Sequence, residues 1–167
     1  ELLFKLAKRN DIQIPFANIN EVKSAYNFSN LESFLNIFYQ GSKVLIKEQD
    51  FFDLVWAYTL KCKEDNVVHT EIFFDPQTHV NRGIDFDVVI NGIYKALLRA
   101  NKEFGLTSKI IMCFLRHLDE ESAFEILDQA LVHKDKIVGV GLDSSEVGHP
   151  PRKFERVFKK AIKKGFL

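Results

Sequence analysis

Three clusters of polar residues each follow an apolar segment, and they contain the side-chain types that carry out acid–base and metal chemistry. Aspartate, glutamate and histidine can transfer protons or bind a metal ion, and arginine can hold an anionic group. The clusters are Asp75-Pro76-Gln77-Thr78-His79, Arg116-His117, and Asp143-Ser144-Ser145-Glu146 followed by His149. Polar residues before a helix are also ordinary helix caps, so each cluster has a structural interpretation beside the catalytic one.

The segments that precede these clusters are predicted strands, and they alternate with predicted helices. Residues 67–74, 109–115 and 136–142 are apolar, with many β-branched or aromatic side chains, whereas 48–64 and 85–104 have the apolar spacing of helices. This alternation predicts an α/β fold with a parallel sheet. Because parallel strands end at one edge, where such folds bind ligands, the three clusters are expected to meet there.

The number of strand–helix units bears on the architecture. A further helix follows Pro150-Pro151, and Phe166-Leu167 is interpreted as the opening of another strand. This gives about three and a half units, whereas a closed eight-stranded barrel takes about 250 residues. The 167 residues contain no internal repeat or linker, so they are predicted to form one domain, either a small open sheet or part of a barrel.

Composition argues against several classes of protein. The 23 basic and 23 acidic residues cancel, which disfavours binding to a polyanion, and no apolar run approaches the roughly 20 residues of a membrane span. The basic residues between Arg152 and Lys164 are interpreted as the solvated face of a helix. Two cysteines are too few for a disulfide framework and favour a reducing compartment. We therefore predict a cytoplasmic protein that binds neither nucleic acid nor a membrane.

Motifs for metal or phosphate binding are weak. No His-x-His or His-x-x-x-His pair occurs, and a metal site built from the residues of this chain has little support in their spacing. Gly139-Val140-Gly141 lies inside a predicted strand and lacks the remainder of a phosphate-binding loop. The sequence therefore indicates neither kind of site within the chain.

Two local predictions concern single side chains. Ser29 and Glu32 have the spacing of a helix capping box, so a helix is expected to begin after Ser29. Glu71 lies inside the first predicted strand, where a buried carboxylate is costly unless it is paired. Glu71 is therefore expected to be an ion-pair partner in the core or a site residue.

Three stretches of the sequence resemble the adenosine/adenine deaminase family. Their order and spacing fit three successive strand ends of that family, and the similarity runs the whole length of the chain. The stretches are Glu71-Ile72-Phe73-Phe74-Asp75-Pro76-Gln77, Phe114-Leu115-Arg116-His117 and Gly139-Val140-Gly141-Leu142-Asp143-Ser144-Ser145-Glu146. The first and third are similar to the adenine deaminase subgroup, because the nucleoside-specific members usually carry Leu-Ala-Gly-Asp-Glu in the third position.

The resemblance implies that the chain is part of a zinc-containing (β/α)8 TIM barrel. It implies strands 2 to 4 with their helices and the helical insertion after strand 1. Residues 1–167 would then be the N-terminal half of the barrel domain, lacking strand 1 and strands 5 to 8. In this family the Zn²⁺ ligands lie on strands 1, 5 and 8, and the acid–base glutamate follows strand 5. The resemblance therefore implies that the catalytic residues and the Zn²⁺ ligands lie outside this chain.

The resemblance assigns the purine-binding side of the site to this chain. Phe34 and Phe38 match the helix that covers the family's pocket, with ordinary core packing as the alternative. Ser144 aligns with a small residue whose backbone N–H faces the purine ring, and Glu146 aligns with a carboxylate in the strand 4 turn. Asp143 stands where the nucleoside enzymes have a small residue. It is expected to favour the free base, by filling the ribose space or by bonding the imidazole edge.

The function implied is hydrolytic deamination of adenine to hypoxanthine and ammonia in purine salvage, through a zinc-activated water. A second hypothesis keeps the family but changes the substrate to adenosine or an N6-substituted adenine nucleotide. A third hypothesis, from another class, is a non-catalytic α/β binding module. Under the first two hypotheses the partner is a small-molecule purine.

Overall fold

The apolar segments form a three-stranded parallel sheet, as the sequence predicts. In the computed structural model, which describes residues 1–167, the strands in sheet order are β1 (His69–Phe74), β2 (Thr107–Leu115) and β3 (Ile137–Asp143). The pairing aligns Phe74 with Met112 and Leu115 with Asp143. The carboxyl ends of the three strands therefore lie along one edge.

Leu167 adds the beginning of a fourth strand beside β3. Its backbone N–H donates to the Val138 carbonyl at 3.0 Å, and its carbonyl accepts from the Val140 N–H at 2.9 Å. Gly139 permits this approach, because a Cβ atom there would lie 2.9 Å from the Leu167 carbonyl oxygen. Leu167 thus pairs with β3 in the way that a strand opening at Phe166-Leu167 would, and Gly139 serves this pairing.

Eight α-helices connect and flank the strands. They are α1 (Leu2–Arg9), α2 (Ile19–Ala25), α3 (Leu31–Ser42), α4 (Glu48–Glu64), α5 (Gln77–Val80), α6 (Phe86–Phe104), α7 (Glu120–Ala130) and α8 (Glu155–Lys163). Short 3₁₀ turns at Leu131–His133 and Pro151–Phe154 complete the connections. The two long helices predicted from the sequence are confirmed to within one residue at each end. None of the helices combines the length and apolar character that a membrane span requires.

The central strand β2 anchors the core. Met112 and Phe114 of β2 have no solvent exposure, and neither do Ile90 of α6 and Leu127 of α7. Burying a large apolar side chain contributes about 1.5–3 kcal/mol, so these contacts hold the helices against the sheet. They thereby fix the position of the edge at which the strands end.

The predicted capping box of α3 was wrong by one residue. Asn30 caps the helix instead of Ser29, since its Oδ1 accepts from the Ser33 N–H at 2.9 Å. Ser33 Oγ in turn accepts from the Asn30 N–H at 3.2 Å. Because Ser33 completes the box, Glu32 is available for a contact with another element.

The expectation that Glu71 is buried was also wrong. Its side chain is 55 % exposed and lies 3.6 Å from His69 Nε2. The alternation of the strand explains this result, because Thr70 takes the buried position and its neighbours point to the opposite face. β1 pairs with another strand on one side only, and Glu71 lies on its uncovered face.

Helices α4 and α6 pack with their backbones close together at Gly92. A Cβ atom at Gly92 would lie 2.4 Å from the Glu48 carbonyl oxygen and 2.7 Å from Phe51 Cβ. Backbone cannot move aside as a flexible side chain can, so a larger residue would force the two helices apart.

We predict that Gly92→Ala destabilises the fold although alanine is the better helix former. The overpacking should lower the free energy of unfolding by roughly 1–3 kcal/mol. The matched control is Gly41→Ala in α3, where the new Cβ would lie 4.0 Å from Leu3 Cδ1 and so meets no clash. Urea denaturation of both variants checks this. A Gly92→Ala protein as stable as Gly41→Ala would contradict the packing described.

Candidate active site

Asp143, the last residue of β3, has a carboxyl group that is buried near a second one, that of Asp75. Asp143 Oδ1 is buried and has no hydrogen-bond partner. Burial raises the pKa of Asp143 to about 7, and the charge of Asp75 also raises it, against a smaller opposing effect of the Cys113 thiol. Burial likewise raises the pKa of Asp75, although Thr78 donates a hydrogen bond to its carboxylate. The two acids therefore hold a proton at a higher pH than exposed acids would.

Cys113, beside Asp143, is a neutral thiol. Burial, followed by the charges of Asp143 and Asp75, raises the pKa of Cys113 to about 12. Gly141, its partner on β3, leaves room for the sulfur, since a Cβ atom there would lie 2.9 Å from Sγ. A protonated, buried thiol is neither a nucleophile nor a metal ligand, so Cys113 shapes the surroundings of Asp143.

Ser144 connects three elements through its hydroxyl group. Tyr39 Oη of α3 donates to Ser144 Oγ at 2.7 Å, and His117 Nδ1 lies 2.9 Å from the same oxygen. Ser144 itself has a φ of 73°, in the left-handed region that non-glycine residues seldom adopt. The two contacts therefore hold a residue whose backbone conformation is unfavourable by itself.

Glu146 lies at the exposed rim, away from the buried acids. Its side chain is 69 % exposed and forms an ion pair with Arg116, whose Nη1 lies 2.9 Å from Glu146 Oε1. Arg116 is mostly buried and also donates through Nε to the His149 carbonyl at 2.9 Å. Arg116 thus ties the turn after β3 to the end of β2.

Phe34 and Phe38 belong to a row of aromatic rings along α3. Their ring centroids are 5.9 Å apart, and Phe38 contacts Tyr39, whose ring meets that of His117 at 6.3 Å. The row leads from the outer surface to the strand ends. Both phenylalanines therefore lie near the polar cluster, and neither is fully buried.

A mainly apolar cavity of about 500 Å³ lies between α1, α3, α4 and β1. Phe38 and Asp75 line it together with apolar residues such as Leu6, Phe51 and Phe73. Asp75, His79 and Ser42 supply a few polar groups on this apolar wall, which is typical of a site that holds a small, mostly apolar molecule. The cavity reaches the strand edge through Asp75.

The structure turns Gln77 away from the candidate site, whereas His79 lies on the wall of the cavity. Gln77 is buried, with its Oε1 accepting from the Leu115 N–H at 2.9 Å and its Nε2 donating to Ser122 Oγ at 2.7 Å. Burial and the charge of Arg82 lower the pKa of His79 to about 4, so its ring is neutral. Arg82 Nη2 lies 2.8 Å from His79 Nδ1. These residues brace the turn that carries Asp75.

Sequence reasoning missed Tyr39 and Glu32, which connect α3 to the turn after β3. Glu32 accepts a hydrogen bond from Ser145 Oγ, and Tyr39 donates to Ser144. The two are seven residues apart, or about two helical turns, so they share one face of α3. That spacing is the signal that could have found them, provided the position of α3 had been known.

The chain contains no group of three or more His, Cys, Asp or Glu side chains that could hold a metal ion. Asp75 and Asp143 are two carboxylates without a third ligand. A zinc ion therefore does not fit the donor set of residues 1–167 alone.

We predict that Asp143→Asn becomes more stable relative to the wild type as the pH rises from 4 to 7. The folded protein keeps the Asp143 proton up to about pH 7, whereas an unfolded aspartate loses it near pH 4. Raising the pH across this window therefore removes up to about 4 kcal/mol of stability through Asp143, and this loss occurs in the wild type alone. Urea denaturation at several pH values gives the difference.

The quantity to compare is the difference in the free energy of unfolding between Asp143→Asn and the wild type. His79 titrates in the opposite sense, but it is present in both proteins, so its effect cancels from this difference. Asp135→Asn, which replaces an exposed carboxyl group, is the control for the substitution itself. A difference between Asp143→Asn and the wild type that stays constant with pH would contradict the raised pKa.

Comparison with known proteins places the chain in a family. The family described as adenosine deaminase matches residues 1–167. The adenine deaminase of Psychrobacter cryohalolentis is 62 % identical over 166 residues, which cover 99 % of this chain and 50 % of the relative. The chain thus spans about half the length of the curated relatives it matches.

Two solved structures agree with the fold. The adenine deaminase of Arthrobacter aurescens matches with a TM-score of 0.95 at 43 % identity, over 99 % of this chain and 50 % of that one. An amidohydrolase of Burkholderia ambifaria, solved with bound Zn, matches with a TM-score of 0.88 at 24 % identity, over 99 % and 46 %. The predicted fold class, an α/β part of a (β/α)8 barrel, is confirmed. The match over the full length shows that the chain belongs to the adenosine deaminase family.

Proposed function

We propose that the whole protein containing this chain hydrolyses adenine to hypoxanthine and ammonia in purine salvage. The bond from C6 to the exocyclic nitrogen breaks, a C6–O bond forms from water, and the nitrogen leaves as ammonia. Support comes from family membership and from relatives named adenine deaminase. In this proposal residues 1–167 are the N-terminal half of the barrel domain, without strand 1 and strands 5 to 8.

The observation that carries the preference for the free base is the unpaired carboxyl oxygen of Asp143. A buried polar atom without a partner is costly, and a ligand that supplies the missing hydrogen bond recovers that cost. Free adenine has an N–H on its imidazole edge, whereas in adenosine the ribose replaces it. With a pKa of about 7, the carboxyl group can accept from that N–H or donate to the neighbouring ring nitrogen.

Other residues of the chain complete the purine side of the proposed site. The backbone N–H of Ser144 makes no hydrogen bond within the protein, which leaves it able to bind the ring. Phe34 and Phe38 supply aromatic surface at the opening, in keeping with the flat substrate. Glu146 would act at the rim, through its ion pair with Arg116.

A small purine suits the charge distribution better than a polyanion does. On α8, Arg156 pairs with Glu120 and Glu121, and Lys160 pairs with Asp128. The basic face of this helix is therefore largely neutralised.

Both cysteines are free and buried, which supports the proposed location in the reducing cytoplasm.

We propose zinc as the cofactor of the whole protein, with ligands outside residues 1–167. The support is the bound Zn in the similar amidohydrolase and the absence of a three-ligand cluster in this chain. When bound, zinc would supply an activated water at neutral pH.

The zinc proposal predicts different metal contents for two proteins. Metal analysis should find stoichiometric zinc in the whole protein and none in the 167-residue chain prepared alone. Chelation should abolish deamination by the whole protein, and added zinc should restore it. Stoichiometric zinc in the isolated chain would contradict the placement of the ligands.

We predict that the whole protein turns over adenine in preference to adenosine and N6-methyl-AMP. Asp143→Ala should lower kcat/KM for adenine roughly 100-fold, because a hydrogen bond to a charged group contributes about 1.5–3 kcal/mol. Glu125→Gln, a change at an exposed position of α7, is the control and should leave kcat/KM unchanged. Ammonia release with each of the three substrates measures this.

Two results would count against the proposal. A wild-type preference for adenosine or the nucleotide would overturn the role of Asp143 and favour the second hypothesis. The absence of deamination of all three compounds by the zinc-loaded whole protein would favour a binding module.

A further inference from the structure

Tyr39 forms a hydrogen bond with Ser144, a residue of the proposed purine site. Its phenolic hydroxyl donates to Ser144 Oγ at 2.7 Å across 105 positions of sequence. The ring also meets the His117 ring at 6.3 Å with an interplanar angle of 67°. Tyr39 is thus placed by both its hydroxyl group and its ring.

Ser144 depends on such partners because of its backbone. A non-glycine residue with a φ of 73° is held in a sparsely populated region of backbone conformation, which is unfavourable without support from neighbouring groups. Ser144 Oγ has two neighbours within hydrogen-bond distance, Tyr39 Oη and His117 Nδ1. The same residue has the unbonded backbone N–H that faces the ligand in the proposed site.

Tyr39 is suited to be a permanent donor. Burial raises the pKa of its phenol, and the carboxylates of Asp75, Asp143 and Glu32 raise it further, against an opposing effect of the Ser144 contact. The hydroxyl group therefore keeps its proton at neutral pH, where it can donate to Ser144 Oγ.

Helix α3 is otherwise held by few apolar contacts. Of its twelve residues only Leu35 and Ser42 are buried, so polar contacts contribute a large share of what holds it over the strand ends. Tyr39 supplies one of these contacts and Glu32, bound to Ser145 Oγ, supplies a second. A third joins the end of the helix to Arg82, whose Nη2 donates to the Ser42 carbonyl at 3.3 Å. The first two contacts end on adjacent serines of one turn.

We propose that Tyr39 is a positioning residue, whose hydroxyl group fixes the turn at Ser144 and the helix α3 in the arrangement that binds the purine. This inference rests on the proposed function, because the ligand it serves is the adenine of that proposal. Tyr39 acts through Ser144 and has no part in the chemical step.

Tyr39→Phe in the whole zinc-loaded protein tests the inference. The variant removes only the hydroxyl group, and the KM for adenine is expected to rise about tenfold. The matched control is Tyr58→Phe, which removes an equal 2.7 Å contact with Thr70 Oγ1 outside the site and should leave KM unchanged. A general loss of folded protein would lower the active fraction without moving KM.

A double-mutant cycle that combines Tyr39→Phe with Ser144→Ala tests whether the rise in KM comes from the contact between these two residues. If Tyr39 acts through Ser144 Oγ, the double variant should be no worse than Ser144→Ala alone. Additive losses, or an unchanged KM in Tyr39→Phe, overturn the inference.

Hydrogen exchange without substrate separates this inference from the proposed function. Amides of residues 31–42 should exchange faster in Tyr39→Phe than in Tyr58→Phe. If the wild type deaminates none of the three adenine compounds, the proposed function fails. In that case, faster exchange in Tyr39→Phe would still show that Tyr39 stabilises α3. Unaltered exchange would overturn this inference together with the proposed function.

Discussion

The parallel register of β1, β2 and β3 is the constraint on which the site depends. Pairing of Leu115 with Asp143, together with that of Phe74 with Met112, ends the strands side by side. The residues that follow must then leave the sheet at one edge, so Asp75 and Asp143 lie at the same edge on either side of β2. The close contact of α4 with α6 and the buried apolar residues of β2 serve this arrangement by holding the strands rigid.

Electrostatics at that edge follow from burial. Two carboxyl groups and a thiol lie together with little solvent, so each resists ionisation, and the pKa of Asp143 reaches about 7. The protein places basic groups elsewhere, at Arg116 with Glu146 and at Arg82 with His79. Asp143 is consequently left with a buried oxygen that has no partner within residues 1–167, and the proposed free base would supply one.

Much of this could be predicted from the sequence, because strands and their ends have local signals. The apolar runs and the prolines and glycines after them located the sheet, and the polar clusters located its active edge. The sequence could not predict that the side chains of the first polar cluster point in different directions. Asp75 lines the candidate site, whereas Gln77, two residues later, points into the core and accepts a hydrogen bond from the Leu115 N–H. The contact of Tyr39 with Ser144 was equally inaccessible, because it joins distant segments through tertiary packing.

The central claim is that Asp143 meets the imidazole edge of a free purine base. A crystal structure of the whole protein with hypoxanthine bound tests it most directly. A carboxyl oxygen of Asp143 is expected within hydrogen-bond distance of an imidazole nitrogen, with the Ser144 N–H also facing the ring. A base bound with its imidazole edge turned away from Asp143 would contradict it.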